Sequence, residues 1–251
     1  MDKPQLNVLW MYPDVLNLHG DRGNIMALMH VAELMQLDGR VRRCDSFGDD
    51  IPWDWADLIF FNPGEVKNVT RVAAALQKQR AGLDAYVAAG KMMVAIGTSG
   101  AVLGRKLQRH DGTAYECLGL LDMVSCERSA VYGDDLWFAL PDGQEVMGTQ
   151  IQLLDTQLEQ GQQALGRIIY GHGNNKTADE GARSGNIIFS NCLGPVLVKN
   201  PAFAAALIAD ALAVRGVQVS PVLNEDSIRT ELLSFELIKK FVQRKMPAHS
   251  S

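Results

Sequence analysis

The sequence has few cysteines and no long apolar run. Its four cysteines, Cys44, Cys117, Cys126 and Cys192, are widely spaced and form no C-x-x-C pair. They therefore predict neither a disulfide framework nor a zinc site. No run of about 18 or more apolar residues is present, so we expect no membrane span. The first residues also lack the charged and apolar regions of a secretion signal. Together these absences predict a cytoplasmic protein with reduced thiols.

Basic residues are not in excess either. The 24 Lys and Arg residues are outnumbered by 29 Asp and Glu residues, which gives a formal net charge of −5. This balance gives no support for nucleic-acid binding. No spacing of ligating side chains indicates a metal, and we expect no cofactor. The 251 residues, 47% of them hydrophobic, suit one large α/β domain or one domain with an extra segment.

Hydrophobic periodicity predicts strands that alternate with helices. The predicted strands are residues 6–11, 40–44, 58–61, 92–96, 166–170 and 186–190, and the predicted helices are residues 24–37, 69–89, 101–107, 201–214 and 226–245. Alternation of this kind is typical of a doubly wound, mostly parallel sheet. Residues 118–169 differ, since short runs and a Pro-Asp-Gly turn at 141–143 predict a mixed or antiparallel section.

Three stretches occur in a distinctive order. Residues 12–25 read YPDVLNLHGDRGNI, residues 171–176 read GHGNNK and residues 194–201 read GPVLVKNP. In this order and spacing they resemble the class I glutamine amidotransferases. The likeness is to the cobyric-acid-synthase-like branch, which includes the glutaminase subunits of lipid II isoglutaminyl synthase. The resemblance implies a flavodoxin-like α/β fold over residues 1–216, with residues 217–251 as a C-terminal helical extension.

The resemblance also implies a chemistry. A thiolate on a sharp strand-to-helix turn would attack glutamine, and a neighbouring histidine would act as base and then as acid. At the turn the family reads Ala-Ile-Cys-Gly-Gly-Tyr-Gln and then Leu-Gly. This chain has Ala95-Ile96 and Leu103-Gly104 around the turn, which puts Gly97 at the nucleophile position. The family's Tyr-Leu-His-Gly-Pro pattern puts Leu193 at the base position.

A third element is altered after the predicted strand at 58–61. The family has a run of glycines there whose N–H groups help to hold the oxyanion, whereas this chain has Asn62, Pro63 and Gly64. Proline has no N–H to donate. The glutamine-binding arginine that the family implies is also not obvious in the stretch from Arg128 to Tyr132. Three altered elements of one mechanism predict a site that no longer hydrolyses glutamine.

Two polar loops keep their family form. Asp21, Arg22 and Asn24 lie between a predicted strand and helix, at the sheet edge where ligands bind in such folds. His172, Asn174 and Asn175 belong to the glycine-rich loop at 171–185. Each loop is either a contact for a partner or ligand, or a tight structural turn. For Asp21 and Arg22 the structural interpretation is that they pair with each other or cap the helix.

Other nucleophiles remain open. Gly97-Thr98-Ser99-Gly100-Ala101 resembles the G-x-S-x-G elbow of α/β-hydrolases, with His172 or His19 as the base that could reach it. Alternatively, Ser99 or Thr98 simply caps the following helix. Cys192 is beside the lost histidine position, although a buried cysteine is more often a small hydrophobe. Cys117 and Cys126 have no visible basic partner.

The leading hypothesis is a non-hydrolysing, amidotransferase-like subunit. By resemblance its partner would be a Mur-ligase-like protein that activates a carboxylate of the peptidoglycan precursor with ATP. Glutamine or another small molecule could still occupy the old pocket. The alternatives are an active glutaminase subunit supplying ammonia for lipid II D-glutamate amidation, and a hydrolase that uses Ser99.

Overall fold

A computed structural model describes residues 3–246 of the chain. Within that range the strands are β1 (Gln5–Met11), β2 (Asp38–Cys44), β3 (Leu58–Phe61), β4 (Met92–Ile96), β5 (Lys106–Gln108), β6 (Ala114–Glu116), β7 (Met123–Ala139), β8 (Glu145–Leu158), β9 (Gly166–Tyr170), β10 (Asp179–Glu180), β11 (Ala182–Ser184) and β12 (Ile187–Ser190). The helices are α1 (Gly23–Leu34), α2 (Val66–Gln77), α3 (Arg80–Ala88), α4 (Gly100–Leu103), α5 (Val196–Lys199), α6 (Pro201–Ala213) and α7 (Arg229–Lys245).

The first sheet has the order β11-β12-β4-β3-β1-β2, and all its pairings are parallel except that of β11 with β12. Its central strands, such as Leu58–Phe61, are buried along their whole length because helices cover both faces. Side chains of α1 and α6 pack on one face, and those of α2, α3 and α4 pack on the other. The predicted doubly wound α/β fold is therefore confirmed.

The second sheet has the order β10-β9-β7-β5-β6, and β8 also pairs with β7. Its pairings are antiparallel apart from that of β5 with β7. The long hairpin of β7 and β8 dominates it and turns at the predicted Pro-Asp-Gly segment. Its strands β7 and β8 and most of β9 lie in the mixed section that the sequence indicates at residues 118–169, whereas β5, β6 and β10 lie outside that section.

Two predicted helices are wrong in extent. The helix predicted at 101–107 ends at Leu103, because Gly104 is extended, with φ −69° and ψ −179°. The chain then forms β5, which pairs with β7. The helix predicted at 69–89 is two helices, since the backbone of Gln79 leaves helical geometry with φ −110° and ψ 28°. The Gln79 side chain donates to the Asp49 carbonyl at 2.8 Å and accepts from the Ile51 N–H at 3.1 Å.

The C-terminal helix α7 packs on the second sheet. Phe235, Ile238 and Val242 contact an apolar cluster that includes Trp137 and Met147. Residues 247–251 of the predicted extension lie outside the described residues. In the part of the chain that the structure covers, no helix has the length and apolar character needed to cross a bilayer.

Candidate active site

The first feature of the site is a sharp turn between β4 and α4, residues 97–99, which we call the elbow. Gly97 has φ +60°, a left-handed conformation that glycine adopts without the cost a Cβ atom would add. Thr98 and Ser99 continue the elbow as a short 3-10 turn and are buried. The elbow lies at the carboxyl end of β4, where α/β proteins place their reactive groups.

Three positions identified separately in the sequence meet at the elbow. A Cβ atom built on Gly97 would lie 2.9 Å from Cδ2 of Leu193 and 3.2 Å from Cβ of Pro63. Leu193 is 1% exposed, so its side chain fills this space. The three positions that the resemblance assigns to nucleophile, base and oxyanion loop thus converge in three dimensions. Their residues are a glycine, a leucine and a proline, and none of these side chains can carry a proton.

At the position assigned to the oxyanion loop, a side-chain hydroxyl occupies the backbone donor of Gly64. The N–H of Gly64 donates to Oγ1 of Thr98 at 3.0 Å, and the same hydroxyl donates to the Gly64 carbonyl. Pro63 has no N–H. Neither of these two residues therefore has a free backbone donor. The side-chain amide of Asn62 is buried, donates to the Asp21 carbonyl at 2.8 Å and accepts from Nε1 of Trp10 at 3.1 Å.

Asp21 places a buried carboxylate next to the base position. Its Oδ1 accepts from the N–H of Gly194 at 3.3 Å and from Nδ2 of Asn24 at 3.2 Å. Its Oδ2 is buried and has no hydrogen-bond partner among residues 3–246. Burial raises the pKa of Asp21 to about 6, and the hydrogen bonds and nearby Lys199 only partly offset this effect.

Arg22 does not pair with Asp21. Its guanidinium is exposed and donates to Oδ1 of Asn17 at 2.8 Å, with Oδ1 of Asp14 at 3.5 Å. Asn24 is buried, and its Oδ1 accepts from the N–H of Leu197 at 2.9 Å. The loop that carries Asp21 and Asn24 is thus fastened to the segment at 194–197 by side chains.

The loop containing His172 is fastened to the second sheet. The Gln150 amide accepts from the His172 N–H at 2.9 Å and donates to the His172 carbonyl at 2.6 Å. The His172 ring stacks on Tyr132 with centroids 4.2 Å apart, and its buried Nε2 has no partner among the described residues. No hydrogen bond of the described part of the chain joins His172 or His19 to Ser99.

Asn174 and Asn175 differ in role. Asn174 is buried, donates from Nδ2 to the Gly181 carbonyl at 2.6 Å, and accepts from Nδ2 of Asn191 at 3.3 Å. Asn175 is exposed and has φ +44°. Glu180 completes this network by accepting from the Ser190 hydroxyl at 2.7 Å and from the Asn191 N–H at 2.8 Å. Burial raises the pKa of Glu180.

The arginine in the stretch from Arg128 to Tyr132 is already paired. Arg128 contacts both carboxylate oxygens of Asp155, at 2.6 and 2.8 Å. Asp155 in turn accepts from Nε2 of Gln152 at 3.3 Å. A substrate carboxylate would therefore compete with Asp155 for this guanidinium.

Neither alternative nucleophile has the geometry of an activated group. Ser99 is 0% exposed, and its hydroxyl lies 2.9 Å from the Ile96 carbonyl and 3.1 Å from the Phe61 carbonyl. Cys192 is also 0% exposed, and burial raises its thiol pKa well above the usual range. A neutral, enclosed thiol is a poor nucleophile. Burial raises the thiol pKa values of Cys117 and Cys126 as well.

Sequence reasoning missed three long-range contacts around the site, one of which joins the two sheets. Thr149 forms a two-way backbone bridge with Leu193, at 3.0 and 2.8 Å. Thr98 closes the loop at Gly64, and Gln150 holds His172. Each of these contacts joins residues more than 20 positions apart, and no local pattern signals them.

No family model matches the chain. Among solved structures, one described as a glutamine amidotransferase superposes with a TM-score of 0.52 at 14% identity, covering 76% of this chain and 94% of the other. The fold is therefore the glutamine amidotransferase fold.

The sequence relatives are more specific. The chain is 27% identical over 232 residues to the GatD subunit of glutamine-hydrolyzing lipid II isoglutaminyl synthase from Streptococcus pneumoniae, covering 91% of this chain and 89% of the relative. It is 26% identical over 230 residues to the GatD subunit from Staphylococcus aureus, covering 90% of this chain and 93% of that relative. The resemblance seen in the sequence is thus confirmed, since the chain is similar to these GatD subunits over about nine tenths of its length.

Proposed function

We infer that this chain is a glutamine amidotransferase-like subunit that does not itself hydrolyse glutamine. It would act as a scaffold or regulator of a Mur-ligase-like, ATP-dependent partner in peptidoglycan synthesis. The homology to GatD subunits supports the class of protein and the pathway. The geometry of the elbow supports the loss of hydrolysis.

One observation carries this proposal, namely the packing of Leu193 and Pro63 against Gly97. A Cβ atom at Gly97 would have only 2.9 Å to Cδ2 of Leu193, so the space for a nucleophilic side chain is filled by apolar atoms. A thiolate and its base act as one unit, and removing either one disables the attack. Here both are absent and the neighbouring oxyanion loop has lost donors.

The unsatisfied oxygen of Asp21 supports the same inference. A catalytic base is normally held by a third group, often a carboxylate. Asp21 binds the N–H of Gly194, the residue after the base position, and its Oδ2 has no partner among the described residues. A buried carboxylate with a free oxygen beside Leu193 is what remains when a histidine partner is replaced by an aliphatic side chain.

The proposal of a partner protein is supported by the names of the two relatives and by the loop at Asp21 and Asn24, which keeps its family form. Both curated relatives are named as subunits of a synthase, which implies a second component. The loop at Asp21 and Asn24 is rigidly fastened to the segment at 194–197 although no chemistry is left for it to serve. A fixed surface at this edge suits a partner that docks over the elbow.

The test is glutamate release from glutamine by the purified chain, alone and co-expressed and co-purified with a Mur-ligase-like protein. We expect a stable complex and release at the background of a mock preparation in both states. If the complex alone releases glutamate, the partner completes the site. If the free chain releases glutamate, it hydrolyses glutamine despite Gly97 and Leu193, and the proposal is refuted.

The second candidate is an active glutaminase subunit that supplies ammonia for lipid II D-glutamate amidation. It is favoured by the relatives, since both are named glutamine-hydrolyzing. A glutamine-analogue electrophile separates the two candidates, because it labels a reactive cysteine. We expect Cys44, Cys117, Cys126 and Cys192 to remain unmodified, and peptide mass mapping reads each one. A serine-reactive probe applied in parallel should leave the buried Ser99 unlabelled.

A further inference from the structure

The outer face of α7 is apolar, although the helix already uses another face to pack on the second sheet. Leu233, Leu237 and Phe241 are 57%, 68% and 54% exposed. They are spaced four residues apart and form one row along the helix. At 100° per residue this row lies about 130° around the helix from the buried row of Phe235, Ile238 and Val242. We call the exposed row the outer stripe.

The helix beneath the stripe is firmly held. Val242 is 0% exposed and packs in a cluster with Trp137 and Met147. Lys239 forms an ion pair with Glu145 at 2.6 Å, and Lys245 forms ion pairs with Asp134 at 3.0 Å and Asp135 at 2.8 Å. The outer stripe is therefore a preorganised surface, and covering it costs little backbone ordering.

Two charged residues border the stripe on one side. Glu236 and Lys240 are exposed and lie one helical turn apart. In the range 3–246 neither takes part in an ion pair. The acidic residue precedes the basic one along the helix. An antiparallel second copy of α7 therefore places its Lys240 beside Glu236 and its Glu236 beside Lys240, so this edge of the stripe is self-complementary in charge.

We propose that the outer stripe is the interface of a homodimer, in which two α7 helices pack antiparallel about a two-fold axis level with Ile238. With a rise of about 1.5 Å per residue, this axis places Glu236 of one chain beside Lys240 of the second copy, and the reverse pair forms by symmetry. The same axis sets Phe241 of the second copy between the levels of Leu233 and Leu237. The apolar rows interdigitate while both border charges are neutralised.

A single helix pair is a small interface. Interfaces below about 1,200 Å² are characteristic of weak association. The dimer is therefore expected to form in the micromolar range and to depend on protein concentration. Because exposed ion pairs are screened by salt, it should weaken as ionic strength rises. The dimer does not rest on the proposed function, since the outer stripe contains none of the residues placed at the elbow.

The experiment is sedimentation equilibrium of the full chain over a range of concentrations. Wild type should fit a monomer–dimer equilibrium, and Leu237→Arg should be monomeric. Glu236→Lys and Lys240→Glu should each weaken self-association by about tenfold, because each places like charges at both pairs. An equimolar mixture of the two single variants should dimerise as well as wild type, since every pair is then of opposite sign. The double variant Glu236→Lys/Lys240→Glu should also recover.

Met26→Arg is the matched control, because Met26 is 73% exposed on α1 and lies off the stripe. It should not change dimerisation. Circular dichroism and thermal unfolding of each variant verify that α7 remains folded. A wild-type chain that is monomeric throughout overturns the proposal and leaves the stripe to a different macromolecule. A dimer that survives Leu237→Arg, or is not rescued by mixing the charge variants, overturns it as well.

Discussion

The packing at Gly97 predicts how the elbow responds to a single added methyl group. In Gly97→Ala the new Cβ would lie 2.9 Å from Cδ2 of Leu193 and 3.2 Å from Cβ of Pro63. Contacts this short force the neighbours to move, and overpacking of a core costs about 1–3 kcal/mol. The alanine must also hold φ +60°, a left-handed conformation that costs about 1–2 kcal/mol. The expected destabilisation is therefore about 2–5 kcal/mol.

Gly90→Ala separates the two contributions. Gly90 has φ +71°, but no atom lies within 4 Å of a Cβ built there. It carries the same backbone penalty without the clash, so we expect a loss of about 1–2 kcal/mol. The difference between the two variants measures the steric contribution at the elbow.

Leu193→Ala completes the argument as a double-mutant cycle. Alone it removes a buried side chain and should cost about 2–5 kcal/mol. In the double variant with Gly97→Ala the clash with the leucine is absent. The double variant should therefore lose less unfolding free energy than the two single losses added together, by at least about 1 kcal/mol. Urea unfolding monitored by circular dichroism gives each free energy. Additive losses, or equal effects of Gly97→Ala and Gly90→Ala, would show that Leu193 does not fill the nucleophile position.

Three further predictions follow from the same structure. Introducing the family's catalytic pair as Gly97→Cys/Leu193→His should leave glutamate release near background. Pro63 and the Thr98-bound Gly64 would still provide no free backbone donor, and the loss of one oxyanion donor costs about 10²–10³ in rate. Glutamate release at rates usual for glutaminases would contradict this expectation. The pKa of Asp21 is raised from 3.8 to about 6, so the folded state binds this proton more tightly than the unfolded state does. The protonated carboxyl of Asp21 therefore contributes its full stabilisation below about pH 3.8, and this stabilisation is lost as the pH rises through about 6. In wild type the free energy of unfolding should fall between those pH values, and Asp21→Asn should reduce that fall by on the order of 1–3 kcal/mol. An unchanged pH profile would mean that Asp21 is not the group responsible. On α7, Val242→Ala should lower the free energy of unfolding by about 1–2 kcal/mol, whereas Phe241→Ala on the exposed stripe should change it by less than about 0.5 kcal/mol; equal losses would contradict the assignment of the two faces.

Sequence patterns were sufficient for the parts of the fold that repeat locally. The unbroken apolar runs at Leu58–Phe61 and Met92–Ile96 predict buried strands because both of their faces are covered. The short segment after Leu103 was mispredicted as helix, since the edge strand β5 is stabilised by its pairing with β7 and not by its own pattern. Local periodicity cannot report a pairing whose partner lies elsewhere in the chain.

For the site, the sequence by itself determined the prediction that Gly97, Leu193 and Pro63 stand at the family's nucleophile, base and oxyanion-loop positions, because flanking motifs assign those positions one by one. Only the tertiary structure decided that Gly97, Leu193 and Pro63 touch, that Thr98 occupies the N–H of Gly64, and that one oxygen of Asp21 has no partner in the described chain. The division has a physical reason. Residue identity limits the chemistry available at a position, whereas burial, contact distance and hydrogen-bond partners arise when segments more than 30 residues apart are brought together by the fold.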